Sequence, residues 1–270
     1  MSNFIQYHSS KLHYQKHKGG DKTVLIFHGF GHTHQDMNKI SDLFVQAGYT
    51  VYSFDLYYHG KSFKDYSTKP IHIEEFKHII SLFINREKLQ KFELLSYSIG
   101  SRFALTITYL FSGKIKALYL LAPDSICLSS VYRFSTSTFI GKTLFKLITK
   151  SSIVYKMLIA TIGKLGIINA STIRFAKNQM KTVQERNKIF YTWMSFSKLY
   201  QSFQDVVNLM NKHHIDYHLF LGKYDRIIPS KKLIQKSQSI HQKTIYLYDM
   251  GHTQLLHSKQ TLKDLSNIIK

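Results

Sequence analysis

The chain has 270 residues, 44% hydrophobic and 14% aromatic, so it can bury a large core and is not a disordered chain. Its single cysteine, Cys127, excludes an intramolecular disulfide framework and favours a reducing compartment. The formal net charge of +21 raises nucleic acid and anionic membranes as partners. However, the basic residues are spread along the chain with no run of five, which favours compositional bias, and we do not expect nucleic acid binding.

The first residues of the chain carry no recognisable targeting signal. The segment from Met1 to His8 lacks the basic region and apolar run of a secretory signal. No apolar stretch approaches the roughly 20 residues that a transmembrane helix needs. Together with the lone cysteine, these features predict a cytoplasmic protein.

In chain order, short apolar runs alternate with segments of helical periodicity. The runs have strand length and are rich in β-branched and aromatic residues, which is typical of buried strands. In the first half of the chain they are Phe4–Tyr7, Leu12–Gln15, Thr23–Phe27, Tyr49–Phe54, the run that begins at Phe92, and Lys116–Ala122. Helices are predicted at Met37–Ala47, where Gly48 ends the pattern, at Ile73–Leu89 and at Arg102–Leu110.

From about Ser125 to Leu209 the strand signal is weak and the helical signal is strong. Strands Tyr217–Leu221 and Lys243–Tyr248 follow, with helices at Pro229–Ser239 and Thr253–Ile269. Such alternation indicates βαβ units. We therefore predict an α/β fold with a mostly parallel, twisted sheet of about eight strands flanked by helices. Its core would comprise residues 1–124 and 210–270, and residues 125–209 would form an inserted helical cap.

A strand, a tight turn and a helix follow one another around Ser98. The apolar run that begins at Phe92 ends in the small residues of Ser96–Gly100, and a helical pattern starts at Arg102. A serine on such a turn, with small residues two positions before and after it, has the geometry of a nucleophile elbow. Ser98 is therefore the first candidate for a reactive side chain.

Polar residues recur where the predicted strands end. They are His28, Asp55, Ser98, Asp124, Asp225 and His252. Because ligands of a parallel sheet bind beyond the carboxyl ends of its strands, we expect these residues at one edge of the sheet. Three of them, Ser98, Asp225 and His252, would supply a nucleophile, an acid and a base in that order.

Five segments of the chain resemble the α/β-hydrolase superfamily. They are His28–Gly31, Asp55–Ser62, Ser96–Gly100, Gly222–Pro229 and Gly251–His252, and their order and rhythm match that superfamily. The resemblance covers nearly the whole chain outside the cap. It implies that Ser98 is the nucleophile, that His252 is the base, and that Asp225 orients the base. It also implies an oxyanion hole formed by the backbone N–H groups of Phe30 and Ile99.

The same resemblance implies a serine hydrolase that cleaves a carboxylic ester through an acyl-serine, as carboxylesterases and monoacylglycerol-lipase-like members do. The substrate would be a small molecule, and the aromatic and aliphatic cap residues favour an apolar acyl part. The alternatives are a thioester, an amide or a carbon–carbon bond cleaved by the same triad, and a non-catalytic binding module on the same fold. The sequence names neither the substrate nor the oligomeric state.

Other residues in these segments have competing interpretations. Asp124 also follows a strand and is the alternative acid. Ser96 is an alternative nucleophile, and it stands where the superfamily usually has glycine, so we expect a slightly crowded elbow. Asp55 and His59 are expected to pin their loop, and His28 to have a structural role. No HExxH motif or cysteine–histidine cluster is present, so we expect neither a metal nor a cofactor.

Lysines recur at helical spacing within the predicted cap. They are Lys142, Lys146 and Lys150, with Lys156 and Lys164 in the same sector if the helix continues. The simpler interpretation is the solvated face of an ordinary amphipathic helix. The alternative is a weak contact with an anionic membrane surface. A helix break at Thr149–Ser152 would weaken that alternative.

Overall fold

The computed structural model describes residues 3–65, 69–164, 173–174, 177 and 179–270. Strands within these residues form one eight-stranded sheet. They are β1 (Phe4–Tyr7), β2 (Ser10–His17), β3 (Lys22–Phe27), β4 (Tyr49–Phe54), β5 (Phe92–Tyr97), β6 (Ile115–Leu121), β7 (Asp216–Gly222) and β8 (Lys243–Tyr248). The predicted α/β fold class and the predicted sheet are confirmed.

The sheet is mostly parallel, and its order is β1-β2-β4-β3-β5-β6-β7-β8. β1 pairs antiparallel with β2, and β2 pairs antiparallel with β4, whereas every other pair is parallel. The chain moves outward from β3 to β4 and then returns to place β5 on the other side of β3. The carboxyl ends of β3 and β5 therefore flank the point where the winding reverses, which is where open parallel sheets bind ligands.

The central strands are buried on both faces. All of β5 is buried, and so is the segment 24–27 of β3. A strand in this environment needs a nearly continuous apolar run, which explains why the sequence shows little polar alternation here. Aromatic packing joins the central elements, since the Phe27 ring stacks on Phe54 with centroids 5.1 Å apart and lies 5.7 Å from Phe103.

Helices connect the strands from β3 to β6, and a run of helices separates β6 from β7. The helices are α1 (Asn38–Gln46), α2 (Ile73–Arg86), α3 (Ser101–Phe111), α4 (Ser130–Ser137), α5 (Phe139–Lys150), α6 (Ser152–Lys164), α7 (Val183–Phe196), α8 (Phe203–Lys212), α9 (Ser230–Lys236) and α10 (Lys259–Ile268). Just after α1, Gly48 takes φ of +81°, a conformation that favours glycine, and the helix stops there as predicted.

The chain divides into two compact units. The first comprises Met1–Asp65, His72–Cys127 and Leu199–Lys270, and the second comprises Tyr66–Ile71 and Leu128–Lys198. The whole sheet lies in the first unit, and α4 to α7 lie in the second. These bounds differ from the predicted insertion 125–209 because α8 belongs to the first unit, where Val206 and Met210 are buried and the helix packs against α3. Part of the predicted insertion, residues 165–172, lies outside the described residues.

Two carboxylates of the first unit have pKa values shifted in opposite directions. Glu93 on β5 accepts hydrogen bonds from Tyr49 (3.1 Å) and Tyr119 (3.0 Å), but burial raises its pKa. Burial also acts to raise the pKa of Glu87, but there a 2.7 Å hydrogen bond from Lys16 and further donors lower it overall. The two groups are therefore expected to affect stability with opposite dependence on pH.

The Glu93→Gln variant is expected to raise the free energy of unfolding at pH 8 by about 1 kcal/mol. A raised folded pKa means that ionised Glu93 destabilises the fold, so this cost appears above the unfolded pKa and is largely absent at pH 4. Glu87→Gln is the control of opposite sign, because stability from a lowered pKa is present at pH 8 and is lost on acidification. Urea unfolding at both pH values measures the effects, and a destabilised Glu93→Gln variant at pH 8 would contradict the burial argument.

Candidate active site

Ser98 lies on a sharp turn at the carboxyl end of β5. The strand leads into a short 3-10 turn over Ser98–Gly100, and α3 follows directly. Ser98 takes φ of +50°, a left-handed conformation that a residue with a side chain adopts only when its surroundings impose it. A Cβ at Gly100 would lie 2.5 Å from the carbonyl oxygen of Phe27, so glycine is required there. This backbone geometry is that expected for a nucleophile elbow.

Ser96 lies two residues before the turn and is fully buried on β5. Its backbone aligns with Phe27 of β3 and with Leu120 of β6. Its hydroxyl is shielded from solvent and has no hydrogen-bond partner among the described residues, so it is not positioned to attack a substrate. Ser98 reaches its left-handed conformation with Ser96 in place, and the serine at this position therefore does not prevent the elbow.

The side chains of Ser98, His252 and Asp225 form one hydrogen-bonded chain. His252 Nε2 lies 3.1 Å from Ser98 Oγ, and His252 Nδ1 lies 2.7 Å from Asp225 Oδ2. Because a carboxylate only accepts hydrogen bonds, Nδ1 carries the proton of the neutral ring, and Nε2 is left to accept the hydroxyl proton. The fold thus brings together the three residues that the sequence predicted as nucleophile, base and acid.

The carboxylate of Asp225 is held in a fixed orientation by the loop that follows β7. Its Oδ1 accepts hydrogen bonds from the backbone N–H groups of Ile227 and Ile228, both at 2.8 Å. Its Oδ2 is the atom that faces His252. The side chain is buried, so one oxygen anchors the carboxylate to the backbone and the other orients the imidazole.

Asp124, the alternative acid, is engaged elsewhere. Its carboxylate accepts a 2.8 Å hydrogen bond from the buried guanidinium of Arg102 and a 3.3 Å bond from the hydroxyl of Ser101. Its backbone N–H donates to the carbonyl oxygen of Ser98 at 3.4 Å. Asp124 therefore supports the turn that carries Ser98, while Asp225 contacts His252.

The backbone N–H groups proposed for the oxyanion hole lie on two segments that meet. Ile99 follows Ser98 in the 3-10 turn. Phe30 follows Gly29 in the loop after β3, and a Cβ on Gly29 would lie 2.6 Å from the ring of Tyr97 and 3.4 Å from Ser98 Cβ. The loop after β3 therefore lies directly against the elbow, and only glycine allows this approach.

His28 has a structural role in this loop. Its Nε2 accepts a 2.9 Å hydrogen bond from the backbone N–H of Leu56, and its Nδ1 lies 2.7 Å from the carbonyl oxygen of Gly29. The ring is fully buried. The imidazole therefore joins the loop after β3 to the loop after β4 and holds the segment that leads to Phe30.

Asp55 is the centre of a buried polar cluster. The sequence predicted that Asp55 holds its loop but did not predict its partners His13 and His34. Its Oδ1 accepts hydrogen bonds from the backbone N–H and from Nδ1 of His34, and its Oδ2 accepts from Nδ1 of His13 and from the backbone N–H of Lys61. Burial acts to raise the pKa of Asp55, but these bonds hold it well below the usual range. As predicted, Asp55 pins the loop after its strand.

This cluster is also where the described residues could hold a metal ion. The ligand atoms of His13, His34 and Asp55 lie within 4.8 Å of one another, and all three residues are buried. However, each oxygen of the carboxylate already accepts two hydrogen bonds, and both Nδ1 atoms are used in them. These hydrogen bonds connect β2 to the loops after β3 and β4. They leave no lone pair of Asp55 directed at a cation.

Tyr97 is a site residue that the sequence did not single out. Its hydroxyl donates a 3.2 Å hydrogen bond to the carbonyl oxygen of His252, and the two rings lie 5.2 Å apart. Burial raises the pKa of Tyr97, and the negative charge of Asp225 raises it further, so the phenol stays protonated and remains a donor. The one available signal was its position directly before the candidate nucleophile.

The sequence matches a known protein family. The family model described as "Serine aminopeptidase, S33" matches residues 19–260. The chain belongs to this hydrolase family. The predicted membership of the α/β-hydrolase superfamily and the predicted assignment as a hydrolase are thereby confirmed.

Two curated relatives of this hydrolase come from mycoplasmas. A protein of Mycoplasma genitalium described as "Putative esterase/lipase 2" is 31% identical over 103 residues, which are 38% of each chain. Its namesake in Mycoplasma pneumoniae is 25% identical over 113 residues, which are 42% of this chain and 40% of the relative. The matches therefore span about two fifths of the relatives' length.

Solved structures share the fold of this hydrolase over nearly its whole length. An alpha/beta hydrolase from a Medee basin deep-sea metagenome has a TM-score of 0.71 at 10% identity, covering 98% of this chain and 96% of that one. A thermophilic esterase from Thermogutta terrifontis has a TM-score of 0.68 at 14% identity, covering 99% and 96%. An esterase from Exiguobacterium antarcticum has a TM-score of 0.66 at 16% identity, covering 100% and 99%. At these identities the likeness establishes the fold.

Proposed function

We propose that this hydrolase cleaves carboxylic esters through an acyl-enzyme formed on Ser98. The observation that carries the proposal is the pair of hydrogen bonds made by His252, at 3.1 Å to the Ser98 hydroxyl and at 2.7 Å to the Asp225 carboxylate. A serine hydroxyl attacks a carbonyl only when a base removes its proton during the attack. The imidazole is within reach of that proton and is oriented by a buried carboxylate, as such chemistry requires.

In the first half of the reaction, Ser98 Oγ attacks the substrate carbonyl carbon while His252 Nε2 takes the hydroxyl proton. The resulting imidazolium is stabilised by Asp225, whose Oδ2 accepts its Nδ1–H. The negative oxygen of the tetrahedral intermediate is stabilised by the N–H groups of Ile99 and Phe30. His252 then gives the proton to the departing alkoxide, and the acyl group stays on Ser98.

In the second half, water replaces the alcohol. His252 takes a proton from the water as it attacks the acyl carbon, and the same N–H groups stabilise the second tetrahedral intermediate. Collapse of this intermediate releases the carboxylic acid and returns the proton to Ser98. The protein groups named here, together with the hydrolytic water, account for every proton transfer and hydrogen bond in the cycle, so the proposal involves no metal and no cofactor.

The carboxylates at this edge of the sheet are already engaged in hydrogen bonds, which favours a substrate with an uncharged acyl group. A substrate with a free α-ammonium would need a carboxylate partner in the site. Asp55 is occupied by four hydrogen bonds, Asp124 by Arg102, and Asp225 by His252 and two backbone amides. The mycoplasma relatives described as esterase/lipase support an ester with an apolar acyl part.

A second candidate is cleavage of an amide bond, which the description of the matching family as serine aminopeptidase favours. The same triad acts on both bonds, so the substrate decides between them. A panel of p-nitrophenyl esters from acetate to laurate, aminoacyl p-nitroanilides and acyl thioesters separates the candidates. We expect the highest kcat/KM on a medium-chain ester. A higher value on an aminoacyl anilide or a thioester would replace the ester proposal, and no turnover on any substrate would favour a binding module.

Covalent labelling tests the nucleophile independently of the substrate. A fluorophosphonate reacts with a serine that has an adjacent base, and its mass shift can be assigned to a peptide. We expect one label on the peptide that contains Ser98. A label on another serine, or none in a folded protein, would contradict the proposed mechanism.

The Gly29→Ala variant is expected to lower kcat by about 10²–10³, the usual effect of losing one oxyanion donor. Its Cβ would lie 2.6 Å from the ring of Tyr97. Because that ring is buried, we expect the loop to move away from Ser98 and to take the N–H of Phe30 with it. Gly113→Ala is the matched control, since the nearest atom to its Cβ is 3.8 Å away. Initial rates on one ester measure both, and equal rates for the two variants would remove Phe30 from the oxyanion hole.

A further inference from the structure

The helices of the second unit expose an unusual share of apolar side chains. Of the twelve large apolar side chains that are exposed in the described residues, seven lie between residues 130 and 164. They are Val131, Phe134, Phe139, Ile140, Leu147, Ile153 and Met157. The seven residues lie on α4, α5 and α6, and α5 packs against the other two helices. Single exposed apolar residues are normal on a protein surface, whereas a group of them in one segment indicates an interaction site.

The helix α5 has one face directed into its unit and one that is exposed. Phe145 and Ile148 are buried on the inner face. On the outer face, Phe139 is 85% exposed, Ile140 is 70% exposed and Leu147 is 50% exposed. At 100° per residue these three side chains span one side of the helix, opposite the buried pair. The exposed apolar groups are therefore additional to those that the fold needs for its own packing.

Lysines share this outer face with the apolar side chains. Lys142, Lys146 and Lys150 are all exposed. With Phe139 set at 0° around the helix axis and about 100° per residue, the three lysines lie between about 300° and about 20°. On the same scale Ile140 and Leu147 lie at about 80° to 100°. The outer face thus combines a row of positive charges with an adjoining apolar row. This is the pattern of a helix that lies at an interface between water and lipid.

The helix α6 repeats the arrangement on a smaller scale. Ile153 is 72% exposed and Met157 is 65% exposed, and exposed Lys156 lies beside them. As expected from Thr149–Ser152, the helix breaks: α5 ends at Lys150 and α6 begins at Ser152. The predicted single lysine stripe is therefore divided between two helices, which weakens it as a continuous membrane face, and the side chain of Lys164 lies outside the described residues. The support for a membrane contact comes instead from the exposed apolar side chains beside the lysines of each helix.

The sequence of this region contains no acidic residue. From Ser125 to Gln184 the sequence contains no aspartate or glutamate. It contains nine basic residues, which are Arg133, Lys142, Lys146, Lys150, Lys156, Lys164, Arg174, Lys177 and Lys181. Among the described residues, none of the exposed lysines of α5 and α6 forms an ion pair. Their charge is available to an anionic partner.

We propose that the basic apolar face of α5 and α6 binds the surface of an anionic lipid bilayer. An anionic bilayer offers both complementary features at once, because its phosphate headgroups attract lysine and its acyl region accepts phenylalanine, isoleucine and leucine. Nucleic acid would use the lysines but leave the aliphatic side chains in water. A second copy of the chain would bring two acid-free basic faces together, which like-charge repulsion opposes.

The contact is with the bilayer surface. Within residues 3–65, 69–164 and 179–270, no helix combines the length and the apolarity that crossing a bilayer requires. The lysines would contact the headgroups, and the neighbouring apolar side chains would reach the upper acyl chains. This arrangement binds reversibly and weakens with salt, because much of the attraction is between screened charges.

Vesicle flotation with the full chain tests the proposal. We expect binding to vesicles of phosphatidylcholine with about 30% phosphatidylglycerol at low salt, weaker binding in about 0.5 M NaCl, and little binding to pure phosphatidylcholine. Each surface lysine contributes about fivefold to affinity for an anionic membrane, so Lys142→Gln, Lys146→Gln and Lys150→Gln together should weaken binding on the order of 100-fold. The matched control is Lys231→Gln, Lys259→Gln and Lys263→Gln, three exposed lysines of the first unit, which should leave binding unchanged.

The apolar half of the face has its own matched pair of variants. Phe139→Ser with Leu147→Ser should weaken binding on the order of tenfold. Phe63→Ser with Leu247→Ser should not weaken binding, although these two exposed side chains of the first unit are about as exposed as Leu147. Circular dichroism and the hydrolysis rate of a water-soluble ester establish that each variant is folded.

Three results would overturn the proposal. The first is equal vesicle binding by the α5 lysine variant and its control. The second is binding that depends on lysines but is indifferent to the apolar substitutions and is stronger on duplex DNA, which would assign the charges to nucleic acid. The third is a protein that does not bind vesicles but sediments as a dimer, with the dimer abolished by Phe139→Ser and Leu147→Ser, which would assign this face to self-association.

Discussion

Replacing Ser98 with alanine is expected to lower kcat on the preferred ester by about 10⁵–10⁶ and to abolish fluorophosphonate labelling. In the proposed mechanism Oγ bonds to the acyl carbon, and without it His252, whose Nε2 lies 3.1 Å from Oγ, has no hydroxyl proton to take. Some rate above that of water should survive, because the N–H groups of Ile99 and Phe30 still polarise a bound carbonyl. Single-turnover kinetics with purified protein measure the loss.

Ser96→Ala is the control for the Ser98 variant. Ser96 lies two residues earlier on the same strand, and its buried hydroxyl has no hydrogen-bond partner among the described residues. Removing it should leave kcat within about threefold and stabilise the protein slightly, because an unpaired buried hydroxyl costs free energy. If Ser96→Ala lost labelling while Ser98→Ala kept it, the assignment of the nucleophile would be reversed.

Asp225→Asn is expected to lower kcat by about 10⁴ with little change in fold. The amide oxygen of the substituted side chain could still accept from the N–H groups of Ile227 and Ile228, so its NH₂ group would face His252 Nδ1. That ring nitrogen would then have to accept, and the ring proton would move to Nε2. An Nε2 that carries a proton cannot take one from Ser98. The measurement is kcat on the same ester, together with labelling, which should slow in parallel.

Asp124→Asn tests the competing acid. Asp124 pairs with the buried guanidinium of Arg102, so the variant should lower the free energy of unfolding by about 2 kcal/mol, less than a fully buried pair would because Asp124 is partly exposed. Its kcat should stay within about tenfold of the wild type. A loss of kcat in Asp124→Asn that exceeds the loss in Asp225→Asn would move the role of the acid to Asp124.

Local sequence patterns predicted much of the fold. A buried parallel strand needs an unbroken apolar run, and the elbow needs small residues around one serine, so β5 and Ser98 could be located from a few neighbouring letters. Element ends were less predictable, because backbone conformation decides them. The helix predicted at Ile73–Leu89 ends at Arg86, and Lys88 just beyond it takes φ of +54°.

The supporting hydrogen bonds could not be predicted, because they join residues that are distant in the sequence. His13 reaches Asp55 only because β2 lies beside β4, and nothing near His13 marks it as a partner. Asp124 and Asp225 both follow strands and look alike in sequence. The choice between them depends on where Arg102 directs its guanidinium, and that contact is tertiary.

The two atoms at the centre of the site are supplied by residues 154 positions apart in the chain. Ser98 comes from the middle of the sheet, and His252 follows β8, which lies at the sheet's edge and, within the described part of the chain, pairs only with β7. Contacts of such high sequence separation cost more loop-closure entropy than local ones, so we expect this contact to form after the local turns and helices. We therefore expect a folded elbow to lack its proposed base until the edge strand has docked. If Ser98 and His252 act as proposed, recovery of hydrolysis after denaturation should report that the sheet is complete.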